Sequence, residues 1–123
     1  MKQGEIWEIN LNPTIGAEIK KKRPAVIIND DAIGILPLKV VVPVTEWKDR
    51  FQGAVWMVKI EPNSENNLKK PSAIDTFQIR SVSTKRFLRK TGSVSSNVLD
   101  EIKTAIKAVI DADYDHAYPV DTG

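Results

Sequence analysis

The sequence predicts a mainly β fold that ends in one amphipathic α-helix. Short runs rich in β-branched residues recur up to Val94, and Asn, Asp, Gly and Pro separate them. The apolar spacing changes to three- and four-residue steps only after Ser96. A chain of 123 residues has the usual size of one compact domain. We therefore expect residues 1–113 to form a single domain, and residues 114–123 to form a disordered tail.

The first predicted strands are short and closely spaced. Apolar and polar residues alternate over residues 5–11, which indicates a half-buried strand. Residues 24–29 and 38–44 are β-branched runs typical of central barrel strands. Because Pro43 cannot donate to a strand ladder, we expect a bulge or a sheet edge there that turns Thr45 away from regular pairing.

The later strands continue this pattern as far as the helix. Residues 54–60 predict a fourth strand that carries Trp56, and the polar residues 61–71 predict a long connection. Residues 72–82 and 89–94 supply the remaining strands, which gives five or six in all.

The C-terminal helix is the clearest single element. From Ser96 to Ile110, apolar residues follow the helical period with charged residues between them. Ser95 or Ser96 can accept hydrogen bonds from the first free amides. We expect this helix to cover an open face of the sheet.

The composition excludes several classes of chemistry. There is no cysteine, which removes disulfides and thiolate sites and suits the reducing cytoplasm. With His116 as the single histidine, one chain cannot assemble a two-histidine acid–base pair or a histidine-rich metal centre. Neither a glycine-rich phosphate loop nor an apolar stretch of about 20 residues is present. We expect a cytoplasmic protein with no membrane association, no metal and no other cofactor.

The positive charge is concentrated in two places, although the net charge is only +2. Residues 20–23 read Lys-Lys-Lys-Arg, and four further cations lie within residues 85–90. Such clusters are compatible with a polyanionic partner.

Several stretches occur together in a specific order. They are residues 4–7 (Gly-Glu-Ile-Trp), 12–18 (Asn-Pro-Thr-Ile-Gly-Ala-Glu), 23–27 (Arg-Pro-Ala-Val-Ile) and 78–82 (Gln-Ile-Arg-Ser-Val). In this order and spacing the chain resembles the MazF/PemK family of toxin endoribonucleases over residues 4–110.

The resemblance implies an SH3-like small β-barrel of the PemK/CcdB type. It also implies a sequence-specific, metal-independent endoribonuclease (an mRNA interferase) that acts on single-stranded RNA. The partners implied are a second copy of the chain, which forms a homodimer with RNA near the two-fold axis, and a MazE-like antitoxin that inhibits the toxin.

The resemblance also implies the site residues. Arg23 matches the family's arginine at the start of the second strand, and Thr45 matches its hydroxyl residue at the end of the third. Gly16, Ala17 and Glu18 match the loop that helps to hold RNA, with alanine in place of the common serine. The residues expected to bind RNA lie in this loop and on the later strands: Gly16, Lys20, Lys21, Lys22, Gln78 and Arg80.

The chemistry of RNA cleavage supports the same catalytic residues independently. Without a metal, the 2′-hydroxyl must attack its own phosphate while protons move at both ends and charge builds on the phosphorane oxygens. Arg23 suits charge stabilisation and is a poor base, because an arginine pKa exceeds about 12. Thr45 can donate to a phosphate or departing oxygen, and Glu18 is a candidate to accept the 2′-hydroxyl proton.

Structural roles remain open for several of these residues. Arg80 could instead form a salt bridge with Asp75 or Glu5, and the lysines of residues 20–22 could form a solvated loop. We expect Trp7 and Trp56 to lie in the core, with base-stacking platforms as the alternative.

Trp47 stands in a polar run, so we expect it to be exposed. There it would stack on a base or pack at a subunit boundary.

Two other functional classes fit the same fold, because a fold alone does not define an activity. One is a DNA gyrase poison of the CcdB type, which acts through C-terminal residues on its helix. The other is a non-catalytic SH3-like module that binds nucleic acid.

Overall fold

Seven antiparallel strands and one helix make up the computed structural model, which describes residues 1–13, 15–18, 21–34 and 37–112. The elements are β1 (Glu5–Asn10), β2 (Lys22–Ile27), β3 (Leu38–Glu46), β4 (Met57–Ile60), β5 (Ser72–Asp75), β6 (Arg80–Ser83), β7 (Phe87–Ser93) and α1 (Ser96–Ile110). The expected tail, residues 114–123, lies outside the described residues, so its disorder stays a prediction. Among the residues described, no helix is long and apolar enough to cross a membrane.

The strand order confirms the mainly β class with a C-terminal helix. The ladder runs β4-β5-β3-β2-β1-β7, and β6 pairs with β3 beside this path. The sheet is strongly bent around β3, but within the described residues no ladder joins β4 to β7. The prediction of a mainly β fold with one C-terminal helix is therefore confirmed, whereas the sheet does not close into a barrel.

Strand β3 changes partners at Pro43. Its pairing with β6 ends at Val41, and its pairing with β5 begins at Val44. Pro43 has no N–H group, so it fits the position at which β3 leaves one neighbour and joins the next. Thr45 stays in the strand, opposite Ala73. The expectation that Thr45 turns away from regular pairing is therefore wrong.

Two predicted strands have different boundaries in the structure. The strand expected over residues 54–60 is confined to β4, which leaves Trp56 in the turn before it. The run 72–82 is divided into β5 and β6 by a 3₁₀ turn, Thr76–Gln78. The Asp75 side chain accepts a backbone hydrogen bond from this turn at 3.1 Å. This local bond competes with continued strand pairing.

Strand alternation places the buried residues on two faces of the sheet. The face packed against α1 carries Ile6, Val26, Val42, Val44, Val58, Ile60, Ile74 and Val94, together with Ile102 and Ala105 of the helix. The other face carries Ile9, Leu11, Ala25, Ile27, Val41 and Val82, with Trp7 and Phe87 packed beside them. Ser95 caps α1 by accepting from the Val98 amide at 3.2 Å, as predicted. The second face is the one that continues into the candidate site.

The long connection between β4 and β5 lies directly against β7. The buried Asn66 side chain bonds within this connection, and the Ser93 amide donates to Glu65 O at 3.0 Å. Gly92 makes the closest approach: a Cβ there would lie 2.6 Å from Asn66 O and 2.7 Å from Glu65 O. Only glycine leaves room for both carbonyl groups.

We therefore expect Gly92→Ala to lower the free energy of unfolding by about 1–3 kcal/mol, because the added methyl group must displace backbone atoms. Urea unfolding measures this loss. Ser93→Ala, a change at the next residue that adds no atom, serves as the control. A Gly92→Ala protein as stable as the parent would contradict this close packing.

Glu5 is a half-buried carboxylate that links the start of β1 to β7. Its Oε1 accepts from Trp7 Nε1 at 2.9 Å and from the Lys2 amide at 3.0 Å, and Lys90 Nζ lies 3.3 Å from Oε2. Burial raises the pKa of Glu5, but the hydrogen bonds from Trp7 and Lys2 and the Lys90 ammonium outweigh it. Together they lower the pKa from 4.5 to about 2.

The lowered pKa makes a prediction about acid stability. Because the folded pKa lies below the unfolded one, Glu5 stabilises the fold above about pH 4.5, and this contribution is lost as the pH falls towards 2. We expect Glu5→Gln to flatten the fall in unfolding free energy between these pH values. Glu8→Gln should leave this pH dependence unchanged. A Glu5→Gln protein whose unfolding free energy falls as steeply with pH as that of the parent would contradict the assignment.

Candidate nucleic-acid interface

The β2–β3 register brings Arg23 and Thr45 to the same face of the sheet. The ladder pairs Ile27 with Val41 and Ala25 with Pro43. The ladder ends at this second pair, and Arg23 and Thr45 lie two residues beyond it on their strands. Side chains two residues apart share a face, so both belong to the face without the helix. Both side chains are half-buried at this end of the strands.

A groove of about 810 Å³ opens on this face. Its floor comes from the sheet and includes Leu11, Pro43, Asp75 and Arg80. One wall is the loop after β1, with Ile15, Ala17 and Glu18, and the other contains Trp56, Phe77, Gln78 and Ile79. Neither Arg23 nor Thr45 is among the residues that line it, although Pro43, which does, lies two residues before Thr45 on β3.

The loop between β1 and β2 is closed at its base. The Leu11 amide donates to Lys21 O at 3.2 Å, and the Lys21 amide donates to Asn12 Oδ1 at 3.0 Å. At the tip, Gly16 has a φ of +62°, a left-handed conformation that favours glycine. The loop therefore presents its tip to the groove from a fixed base.

Glu18 lies in the groove wall, but its carboxylate already has a structural partner. Oε1 accepts from the Ile15 amide at 2.9 Å, and the Glu18 amide donates to Ile15 O at 3.3 Å. These bonds hold one turn at the loop tip. A role for Glu18 as a general base requires this carboxylate to exchange its partner for RNA, and that role stays a prediction.

The predicted lysines are not gathered in the groove. Lys22 opens β2 opposite Asn10, so alternation directs it away from the face of Arg23. Lys21 is exposed at the base of the loop with a φ of 73°, and it does not line the groove. Lys20 lies outside the described residues.

Gln78 and Arg80 both line the groove. Gln78 Nε2 donates to Asp75 Oδ2 at 2.9 Å, which fixes the amide beside a buried carboxylate. Arg80 Nη1 makes a long contact of 3.5 Å with Leu11 O. The alternative salt bridges of Arg80 are wrong, because neither Asp75 nor Glu5 lies within ion-pair distance of it.

The aromatic residues of the groove were missed. Trp56 is 38% exposed and Phe77 is 65% exposed, and their ring centroids lie 6.1 Å apart in an edge-on arrangement. The prediction of a core position is wrong for Trp56 and right for Trp7, which packs edge-on against Phe87 at 5.8 Å. The sequence signal that indicates an exposed Phe77 is its alternation with polar residues over residues 76–80.

Trp47 is half-buried, so its expected exposure holds only in part. It packs edge-on against Phe51 with ring centroids 5.8 Å apart.

Among the described residues, no group of three His, Cys, Asp or Glu side chains is placed to hold a metal ion.

Comparison with known proteins identifies the family. The model for PemK-like, MazF-like toxins of type II toxin-antitoxin systems matches residues 2–110. Endoribonuclease MazF9 of Mycobacterium tuberculosis is 31% identical over 117 residues, which cover 90% of this chain and 97% of that protein. Endoribonuclease PemK of Escherichia coli is 37% identical over 62 residues, which cover 50% of this chain and 47% of PemK. The chain belongs to the PemK-like, MazF-like toxin family, as the sequence motifs predicted.

Solved structures show the same fold. The crystal structure of MazF from Deinococcus radiodurans superposes with a TM-score of 0.73 at 21% identity, covering 89% of this chain and 96% of that one. An endoribonuclease from a mycobacterial species, solved in complex with its cognate antitoxin, superposes with a TM-score of 0.71 at 15% identity. That match covers 97% of this chain and 99% of the other.

Asp75 supports the groove wall, and substituting it tests this role. Its two oxygens hold the Phe77 amide and the Gln78 side chain, so Asp75→Ala removes both bonds. We expect a loss of about 1–3 kcal/mol in unfolding free energy, measured by urea titration. Asp75→Asn should lose less, because its amide can still accept from Phe77 and the Gln78 amide can rotate. Equal stability of Asp75→Ala and the parent would contradict this role.

Proposed function

We propose that this chain is a sequence-specific, metal-independent endoribonuclease that cleaves single-stranded RNA through attack of the 2′-hydroxyl. The observation that supports the proposal is the register of β2 and β3, which puts the side chains of Arg23 and Thr45 on the face of the sheet that also carries the groove. The named relatives support it, since MazF9 and PemK are both endoribonucleases.

Arg23 has the chemistry needed at the scissile phosphate. As the 2′-oxygen attacks phosphorus, the bond from phosphorus to the 5′-oxygen breaks and negative charge builds on the non-bridging oxygens. A guanidinium group stays charged and offers two parallel N–H donors to such oxygens. Arg23 therefore binds the phosphate and stabilises its charge without exchanging a proton.

Thr45 and Glu18 divide the remaining tasks. The Thr45 hydroxyl donates a hydrogen bond to a phosphate oxygen or to the departing 5′-oxygen, and that oxygen then takes up a proton from water. Glu18 accepts the proton of the attacking 2′-hydroxyl once RNA replaces its contact with the Ile15 amide. The products are a 2′,3′-cyclic phosphate and a free 5′-hydroxyl.

The groove supplies the binding path for RNA on either side of the cut. Arg80 pairs with phosphate, and the Gln78 amide presents hydrogen-bonding groups to a base edge. Gly16, at the tip of the loop after β1, lets the backbone approach RNA closely. Lys20, Lys21 and Lys22 add positive charge that attracts RNA at a distance.

The proposal includes two protein partners. Isologous pairing is the commonest form of oligomer, and a homodimer would carry two such grooves related by a two-fold axis. One solved relative forms a complex with its cognate antitoxin. We infer that an antitoxin of this chain binds through an acidic segment that pairs with Arg23 and the neighbouring lysines, where charge complementarity favours it.

The test compares Arg23→Ala and Thr45→Ala with the parent on labelled single-stranded RNA in EDTA. We expect each variant to fold normally and to lose about 10²–10³ in cleavage rate, as for loss of one donor to a developing oxyanion. Thr45→Ser should retain most activity because it keeps the hydroxyl. Arg89→Ala removes an arginine that is 72% exposed on β7, and it should cleave at the parental rate.

Parental cleavage by Arg23→Ala or Thr45→Ala would remove that residue from the mechanism. Products with a linear 3′-phosphate from the outset would contradict attack by the 2′-hydroxyl. If the parent leaves RNA intact and traps DNA gyrase instead, the activity is that of a gyrase poison and the proposal is wrong.

A further inference from the structure

We propose that Arg86 positions the loop between β1 and β2, and through it the Glu18 carboxylate, for cleavage of RNA. This inference rests on the proposed function and deepens it, because it adds a positioning residue that does not itself line the groove. Arg86 Nη1 donates to Asn10 O at 3.2 Å, and the same nitrogen also donates to Asn12 O. Both carbonyl groups belong to the segment that leads from β1 into the loop.

The carbonyl groups of Asn10 and Asn12 lie where β1 no longer has a strand beside it. The Leu11 amide faces β2, where it donates to a backbone carbonyl group at 3.2 Å. Because backbone groups alternate along an extended chain, the carbonyl groups of the residues on either side point away from β2. Among the described residues, β7 pairs with β1 no further than Ile9. Arg86, one residue before β7, supplies the donors that a longer strand would have provided.

Arg86 is held in place by its own surroundings. It ends a 3₁₀ turn, Thr84–Arg86, in which Ser83 Oγ accepts from the Lys85 amide at 3.2 Å. In the part of the chain that the structure describes, no carboxylate lies within ion-pair distance of Arg86. A guanidinium group is always charged, and hydrogen bonds from a charged donor are stronger than neutral ones. The entrance of the loop is therefore attached to a fixed cation.

The same entrance leads directly to the groove. Leu11 O lies 3.5 Å from Nη1 of Arg80, which lines the groove. Further along, the loop places Ile15, Ala17 and Glu18 in the groove wall. A general base must lie within hydrogen-bond distance of the proton that it accepts, so the position of the entrance decides whether Glu18 reaches the 2′-hydroxyl. A misplacement of about 1 Å can cost about 10²-fold in rate.

A direct contact between Arg86 and an RNA phosphate is the competing role. Arg86 is not among the residues that line the groove, and both N–H groups of its Nη1 already have carbonyl acceptors. Lys85 is the matched control for charge, because its side chain is exposed in the same turn. Lys85→Ala removes one positive charge next to Arg86 and leaves the contacts of the loop entrance unchanged.

The first experiment separates cleavage from binding in Arg86→Met, which keeps an unbranched side chain and removes its N–H donors. At saturating protein, the single-turnover rate constant for a labelled RNA should fall about 10- to 100-fold. Binding of the same RNA with a 2′-deoxy nucleotide at the cut should change by less than about threefold, because no phosphate contact is lost. Arg86→Lys should recover part of the rate, and Lys85→Ala should cleave at the parental rate.

The decisive result is the combination of Arg86→Met with Glu18→Gln. Adding Arg86→Met to the Glu18→Gln protein should slow cleavage by less than about threefold further, because residues that act through one another are not additive. A second readout needs no RNA. Hydrogen exchange at the Leu11 and Ile15 amides should be faster in Arg86→Met than in the parent, since both amides donate within the loop, and unchanged in Lys85→Ala.

Several results would overturn the inference while the nuclease stands. They are a parental rate constant in Arg86→Met, independent costs of the two substitutions, and parental hydrogen exchange. A decrease of about one in the slope of log K against log salt would also overturn it, because that change marks a direct phosphate contact.

The role of Glu18 and the activity itself are tested separately. If Glu18→Gln alone cuts at the parental rate, Arg86 does not act through Glu18, and the inference fails together with that assignment. If the parent cuts no RNA, the proposed function fails and the inference fails with it.

Discussion

The register between β2 and β3 is the constraint on which the candidate site depends. Because side chains alternate along a strand, a slip of one residue would send Arg23 and Thr45 to opposite faces of the sheet. The register is fixed by burial on both faces: Val26 and Val42 pack towards α1, and Ala25 packs in the second cluster. Apolar packing thus aligns two polar side chains that do not belong to the core.

The change of partner in β3 explains why the site lies where it does. At Pro43 the strand leaves β6 and joins β5, so the sheet bends and a groove opens on the face without the helix. The same bend brings the turn with Phe77 next to Trp56, where Thr76 holds the two segments together. Arg80 and a fixed aromatic wall therefore line one groove, and this combination suits a chain of alternating phosphates and bases.

The sequence predicted the elements with local signals and missed those that depend on distant contacts. The period of α1 and the alternation in β1 are local. The family motif predicts Arg23 and Thr45 as site residues, and these roles stay predictions. Trp56 was placed in the core because its run resembles a strand, but the bonds from Thr76, twenty residues away, hold it in a turn. The partner of Arg80 could not be found either, because Leu11 O reaches it only through the folded sheet.

The most direct test of the central claim is a crystal structure of the protein with an RNA whose cleaved nucleotide lacks the 2′-hydroxyl. The account predicts one phosphate whose oxygens lie about 3 Å from both the Arg23 guanidinium and the Thr45 hydroxyl, at the edge of the groove. RNA bound with its phosphates away from this pair, or the two side chains directed to separate phosphates, would contradict it.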